Sequence, residues 1–365
     1  MTPLEWLVAA SARAPLPDDE IRARLAPSLV DGSGGPAGIN AALASVGPLT
    51  ILAKGGSENR VPVRGPAGDY LLTVHVDDAG LVDDLQLTPD DLKPASWAEI
   101  DARLAGLGKR VSFAAAEIDG GQSRIVHGLD ADTLRPIGSA FKLYVLGALA
   151  QAVVEGRASW DEPLAIRDDW KSLPSGTMQN HPAGTEFPLS EFARLMISIS
   201  DNTATDHLIH RLGRDAVERQ LALFGHQRPE ANVPFRTTKA FFRHKTPSGQ
   251  LWPAPVDIDE VEWFASPADV CRAYAGLLRF DQPEVGNALS RNDDGLDLDA
   301  TAFPEVWYKG GSEPGVVTLH YLARTAGGGR RAVSLMVSDP ESTLDTLPLI
   351  AEAQPVIRGA FHLLA

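Results

Sequence analysis

Residues 137–143 read Ile137-Gly138-Ser139-Ala140-Phe141-Lys142-Leu143, and the chain changes character across them. Pro136 and Gly138 interrupt what precedes, and from Ser139 onward the pattern is helical. A residue three positions on lies on the same helical face, so the spacing predicts that Lys142 reaches Ser139 directly. The positive end of the helix dipole favours negative charge near the Ser139 oxygen. A serine hydroxyl is a weak nucleophile until a base takes its proton, and a lysine serves as that base once its pKa is lowered. Burial and a second cation each lower it. Alone the spacing is a weak signal, because a capping serine and a surface lysine produce it in many helices.

Outward from this stretch, strands lie at both ends and helices between. A helix at 98–107 leads into a strand at 110–119, a turn at Gly120-Gly121 and a second strand at 124–127. The middle, from Ser139 to about Arg279, is mostly helical. Two more strands, 316–323 and 331–337, flank Gly327-Gly328-Gly329, and an amphipathic helix closes the chain over about 342–364. Strands from both termini must then build one sheet, with the helical lobe inserted and the site in the seam. Before residue 95 the organisation differs. Helical patterns at 4–10, 18–25 and 39–46 surround a glycine-rich break at 31–36, and strand-like runs follow at 49–53, 60–63, 70–76 and 81–87. The segment 88–94, with charges between two prolines, reads as a linker. The expectation is an α+β chain of two domains, 1–93 and 97–365.

At 365 residues the chain suits two domains, and its net charge of −15 gives no footprint for a phosphate backbone or an anionic membrane. A small-molecule partner is expected, with no nucleic acid and no membrane. The single cysteine, Cys271, excludes an internal disulfide and reads as a small buried side chain rather than a nucleophile. The first twenty residues, MTPLEWLVAASARAPLPDDE, carry no early Lys or Arg, and Glu5 interrupts their short apolar stretch. That makes a poor signal peptide and points to the cytoplasm. No apolar run approaches the length of a membrane span.

Two further elements change the weight of Ser139. Ser200-Asp201-Asn202 follows a helical segment at 189–199 and precedes a helix opening near Thr203, which reads as its cap. Alternate positions in a tight turn point Ser200 and Asn202 into one cleft, where a hydroxyl relays protons and an amide pairs with substrate. Lys309-Gly310-Gly311-Ser312 ends a strand-like run at 306–308. Its glycines let a substrate approach closely, and Lys309 brings positive charge. Individually, a capping turn and a β-bulge with a solvated lysine explain these equally well.

In this order the three elements resemble the class A β-lactamase and penicillin-binding protein superfamily over about 97 to 365, the class A branch most closely. The resemblance implies Ser139 as the acylated nucleophile, Lys142 as its base and Ser200 as proton carrier to the leaving group. Asn202 would hold a substrate amide, and Lys309, with Gly310 and Gly311, the substrate carboxylate. The N–H groups of Ser139 and Ser312 would form the oxyanion hole. Gly310 stands where threonine is usual, which removes one hydroxyl. No Glu-x-x-Leu-Asn loop follows Ser-Asp-Asn. Glu230 is the only carboxylate in that stretch, so acylation is expected and efficient penicillin hydrolysis is not.

A narrower resemblance is to the clavulanic-acid-pathway β-lactamase-like family. There a cone-shaped, steroid-isomerase-like N-terminal domain precedes a serine hydrolase with esterase-like behaviour. The alternatives are a β-lactam sensor that acylates without turnover and an exported DD-peptidase. No cofactor or metal is expected: His207 and His210, three apart on a helix, lack a third ligand, and 292–299 has calcium-loop composition without the required order. That loop reads as solvated and acidic. Phe235, Phe241 and Phe242 read as core or cleft wall.

Overall fold

The computed structural model describes residues 2–51, 59–66, 68–89, 94–229, 238–245 and 254–365. It divides into two compact units, Met1–Lys93 and Pro94–Ala365.

The first unit begins with the helix Pro3–Ser11, closed at its N-terminus by a reciprocal pair. Thr2 Oγ1 accepts from the Glu5 N–H at 3.1 Å, and Glu5 Oε2 accepts from the Thr2 N–H at 2.9 Å, the capping box that satisfies two otherwise orphaned donors. The glycine-rich break is narrower than expected. A helix spans Pro27–Gly32 and the next spans Gly35–Val46, each with proline in its first turn, where the missing N–H costs nothing. Strands Thr50–Ile51, Arg60–Gly65, Gly68–Val76 and Val82–Pro89 form an antiparallel sheet in sequence order. Val63, Leu72 and Val74 are buried against Trp6, Leu7, Ile21 and Val30, so helices and sheet share one core.

In the second unit the strands order as Glu305–Tyr308, Val316–Arg324, Arg330–Ser338, Arg110–Asp119 and Gln122–Leu129, all antiparallel, with Gly311–Glu313 also pairing with Val316–Arg324. Side chains alternate across a pleated sheet, and here both faces are covered. Phe113, Ala115, Tyr321, Val333 and Leu335 join Ile100, Leu104, Ile357 and Phe361 from the helices Trp97–Leu104 and Thr346–Leu364. Ala114, Ala116, Leu322, Ala332 and Met336 face the helical lobe with Tyr144, Leu149 and Tyr274. Eight of the nine residues of Val316–Arg324 are accordingly buried, the polar Thr318 and His320 among them. The helix Lys142–Val154 is apolar nearly all round and buried through most of its length, as a central helix must be.

Candidate active site

Ser139 lies in a single 3₁₀ turn, Gly138–Phe141, and the α-helix begins at Lys142. The sequence expectation of a helix start at Ser139 is corrected by this turn. It is held from both sides: Phe141 stacks on Trp263 with ring centroids 4.6 Å apart, and Thr318 Oγ1 donates to Ile137 O at 3.2 Å. Ser139 itself is half-buried.

Lys142 is fully buried. Its Nζ reaches Ser200 O at 2.7 Å, Ser200 Oγ at 2.9 Å and Asn202 Oδ1 at 2.8 Å. An ammonium has three donors, and three acceptors surround it. Among the described residues no hydrogen bond joins Lys142 Nζ to Ser139 Oγ. The amine is turned toward Ser200 instead of reaching Ser139 directly.

Ser200 sits at φ +56° between the helices Leu189–Ser198 and Asn202–Leu212. The second helix is capped by Asp201, not by Thr203. Asp201 Oδ1 accepts from Ala204 N at 2.8 Å, while Oδ2 accepts from Thr177 N at 2.6 Å and Met178 N at 2.8 Å. Thr203 instead exchanges hydrogen bonds with Ser172 N and O, both at 2.9 Å. One buried carboxylate thus ties the turn bearing Ser200 and Asn202 to the loop across the cleft. Neither residue was singled out by sequence for this purpose.

Lys309 is buried, and its Nζ lies 3.2 Å from Ser200 Oγ. Gly311 follows at the edge strand, pressed so close to the Ser139 turn that a Cβ there would lie 2.2 Å from Ile137 O and 2.6 Å from Ser139 N. A Cβ on Gly138 would in turn stand 3.3 Å from Ser312 N. The N–H groups of Ser139 and Ser312 therefore lie close together. At Gly310 a Cβ would meet Tyr308 Oη at 2.2 Å, so the phenol fills the space that any side chain at position 310 would need.

Burial, then the neighbouring Lys309, push the Lys142 pKa well below the ordinary lysine value, with Asp201 and Asp206 opposing. Burial lowers Lys309 to about 7, with Asp294 opposing. Asp206 is raised to about 6, chiefly by burial. It accepts from Thr238 N at 2.7 Å and Lys239 N at 3.0 Å, anchoring the first turn of the helix Thr238–Lys245.

The cleft, of about 580 Å³, is lined by Ser139, Ser200, Asn202, Lys309 and Ser312, and further by Phe242, Asp294, Tyr308 and Glu313. The loop at 292–299 is therefore not simply solvated: Asp294 is half-buried at the cleft wall. Phe242 lines the cleft and Phe241 is buried. Glu230 and Phe235 lie outside the described residues. Glu313 contacts Lys245, which also bonds Glu262 at 2.9 Å, and burial followed by Glu262 pushes the Glu313 carboxyl upward. His207 is structural: Arg167 N donates to Nε2 at 2.9 Å, and Nδ1 pairs with Thr203 O at 2.7 Å. His210 stacks on Trp170. Among the described residues no group of three or more His, Cys, Asp or Glu could hold a metal ion, and no helix is long and apolar enough to cross a membrane. Cys271 is buried and its thiol is pushed up to about 12 by that burial.

Among solved structures, a β-lactamase of Sphaerobacter thermophilus is similar at 25% identity, covering 73% of this chain and 96% of its own, with a TM-score of 0.58. A β-lactamase of Chitinophaga pinensis shares the fold at 17% identity, with coverage of 73% and 97% and a TM-score of 0.57. PBP-A does so at 22%, with coverage of 75% and 98% and a TM-score of 0.55. No curated protein matches the chain by sequence. Residues 95–296, more than half of the chain, match the beta-lactamase enzyme family, and the chain belongs to that family of β-lactamase and penicillin-binding serine hydrolases.

Proposed function

We propose that this protein is an active-site-serine hydrolase that forms an acyl-enzyme on Ser139 and turns over simple esters faster than penicillins. The observation that carries the reading is the pair of buried lysines on one hydroxyl: Lys142 at 2.9 Å and Lys309 at 3.2 Å from Ser200 Oγ. A neutral Lys142 takes the Ser139 proton. Ser200, hydrogen-bonded to the amine, passes a proton on to the leaving group. The N–H groups of Ser139 and Ser312 stabilise the oxyanion, and such donors are worth about 10²–10³ in rate. Asn202 binds a substrate amide, and Lys309 with Gly310 and Gly311 borders the leaving-group side.

The preference for esters rests on the helix Thr238–Lys245, which presents Phe242 rather than a carboxylate to the cleft. The same feature favours a second reading, a β-lactam-acylated sensor without turnover. A chromogenic cephalosporin assay with intact-mass spectrometry separates the two. Turnover with little adduct supports the hydrolase, and a stoichiometric adduct without turnover supports the sensor. Loss of both in the wild type overturns the acyl-enzyme reading.

The N-terminal unit, with helices preceding a four-stranded antiparallel sheet, supports a steroid-isomerase-like domain. With it comes kinship to the clavulanic-acid-pathway β-lactamase-like family and a cytoplasmic setting.

A further inference from the structure

The cleft is lined by more than Ser139, Ser200 and Lys309. Its Lys309 end includes Tyr308 and, hydrogen-bonded to it, Asp294, and the apolar side chains of Val317, Leu319 and Ile350 also line the cleft. If Ser200 protonates the departing oxygen, as proposed above, the rest of the leaving group extends into this end.

Three observations define what that end accepts. Tyr308 Oη occupies the space where a side chain at position 310 would stand, and it donates to Asp294 Oδ2 at 3.0 Å. The position therefore presents a carboxylate acceptor in place of a hydroxyl donor. Asp294 is also fixed there. It adopts φ +53°, its N–H donates to Asn292 Oδ1 at 2.8 Å, and its carbonyl accepts from the Gln354 amide. Its Oδ1 has no hydrogen-bond partner among the described residues and is left for a ligand. Finally, Lys309 is the one basic residue among the described residues that line the cleft, and its Nζ is already engaged by Ser200 Oγ and by Gly310 O.

We propose that Asp294 and Tyr308 form a leaving-group subsite that selects an ammonium-bearing, apolar-bodied alcohol and disfavours a carboxylate. This rests on the acyl-enzyme reading and names its substrate class. Ser139 Oγ bonds to the ester carbonyl carbon as the carbonyl–alkoxy bond breaks. The Ser139 proton passes to Lys142, and Ser200 gives its own to the departing alkoxide and is reprotonated by Lys142, so an alcohol leaves and water later releases the acid. Lys309 alone would attract an anion there. Asp294, facing the same space, cancels that attraction and supplies the opposite one.

The test uses phenylacetyl esters of three alcohols of matched shape: choline, 3,3-dimethylbutanol and 4-hydroxy-2,2-dimethylbutanoate. All three give the same acyl-enzyme, so differences in kcat/KM belong to the alcohol alone. At pH 8, above the Lys309 value of about 7, the expected order is cationic, then neutral, then anionic. The choline ester should lead the carboxylate ester by about tenfold, as a half-exposed charge partner gives between ligands of opposite sign. In Asp294→Asn the cation-over-neutral ratio should fall toward one, and Asp294→Glu should restore part of it, which a merely structural role would not do. A carboxylate ester that leads in the wild type, or ratios unchanged in Asp294→Asn, would overturn the subsite alone. Failure of the wild type to release phenylacetate from the neutral ester, or release undiminished in Ser139→Ala, would instead remove the hydrolase reading beneath it.

Discussion

Lys142 and Lys309 approach one oxygen, Ser200 Oγ, at 2.9 and 3.2 Å. Two buried ammonium groups sharing a neutral hydroxyl cannot both stay charged cheaply, and this coupling has a kinetic signature. Below its pKa Lys142 carries a proton and cannot accept another, so kcat/KM should rise with pH through the Lys142 value. Charge on Lys309 is the second cause holding that value down. Lys309→Ala should therefore move the acid limb to higher pH, and should hurt carboxylate-bearing substrates most. Lys142→Ala should slow acylation of every substrate. Equal losses from both variants on p-nitrophenyl acetate, with no displacement of the limb, would contradict this division.

Ser139→Ala should abolish covalent labelling by β-lactams and fluorophosphonates, read as mass added to the intact chain. Lys142 is one helical step from Ser139, and a fully buried lysine is rare unless something uses it. Labelling at the wild-type rate in the variant would place the nucleophile elsewhere.

The parts of the site written in local spacing were legible in the sequence, namely Ser139 with Lys142, Ser200 with Asn202, and Lys309 with its glycines. The strands of the sheet were legible as short runs bounded by turns, but that one run serves two cores, with Phe113 and Ala115 in one and Ala114 and Ala116 in the other, appears only in the fold. What escaped was set by tertiary approach. Asp201 looked like the middle of a motif, yet its carboxylate accepts from residues 177 and 178 on another loop. Tyr308 looked like one residue of a strand, and Asp294 like one acid among several in a loop. Only the fold brings their side chains together beside Gly310. No periodicity records a hydrogen bond between a strand and a loop.

Asp201→Ala should then be costly to stability. It strands the N–H groups of Ala204, Thr177 and Met178, at about 1–3 kcal/mol for a buried unsatisfied donor. A loss of about 3 kcal/mol is expected, measured as a lower urea midpoint at constant slope. Asp201→Asn, which keeps one acceptor oxygen, should lose less. An unchanged midpoint in the alanine variant would show that water replaces the carboxylate.

Lys245 bridges Glu262 and Glu313 with all three side chains buried. Removing the cation leaves two carboxyls without it, and breaking such a set costs about 3–5 kcal/mol. The sign with pH follows from the raised Glu313 pKa. With its carboxyl pushed up to about 9, Glu313 becomes charged only as pH rises through that value, so the deficit of Lys245→Met should grow from about pH 7 to about pH 10. Urea midpoints of both proteins at about pH 7 and pH 10 check this, and a deficit that shrinks at the higher pH would mean the lysine does not act by charge.

The preference for esters over benzylpenicillin follows from what faces the acyl carbon. An acyl-enzyme is cleared only when water is activated beside Ser139, and a penicilloyl adduct both resists and shields that carbon. The helix Thr238–Lys245 places Phe242 on the cleft, an apolar ring that can accept no proton. Of the carboxylates lining the cleft among the described residues, Glu313 is engaged by Lys245, and Asp294, held through Oδ2 by Tyr308, belongs to the leaving-group side proposed above. A small acyl group leaves room for water, and Lys142, held neutral by burial and by Lys309, can then act as base for deacylation as well. Steady-state turnover of p-nitrophenyl esters, of a cephalosporin with a 3′-acetoxy group and of benzylpenicillin should be compared on one preparation. The esters are expected to lead, with the penicilloyl adduct persisting by intact mass. Phe242→Glu, which sets a carboxylate at that wall, should speed release of the adduct. Benzylpenicillin turnover well above the esters, undiminished in Glu230→Gln, would show that another group activates the water.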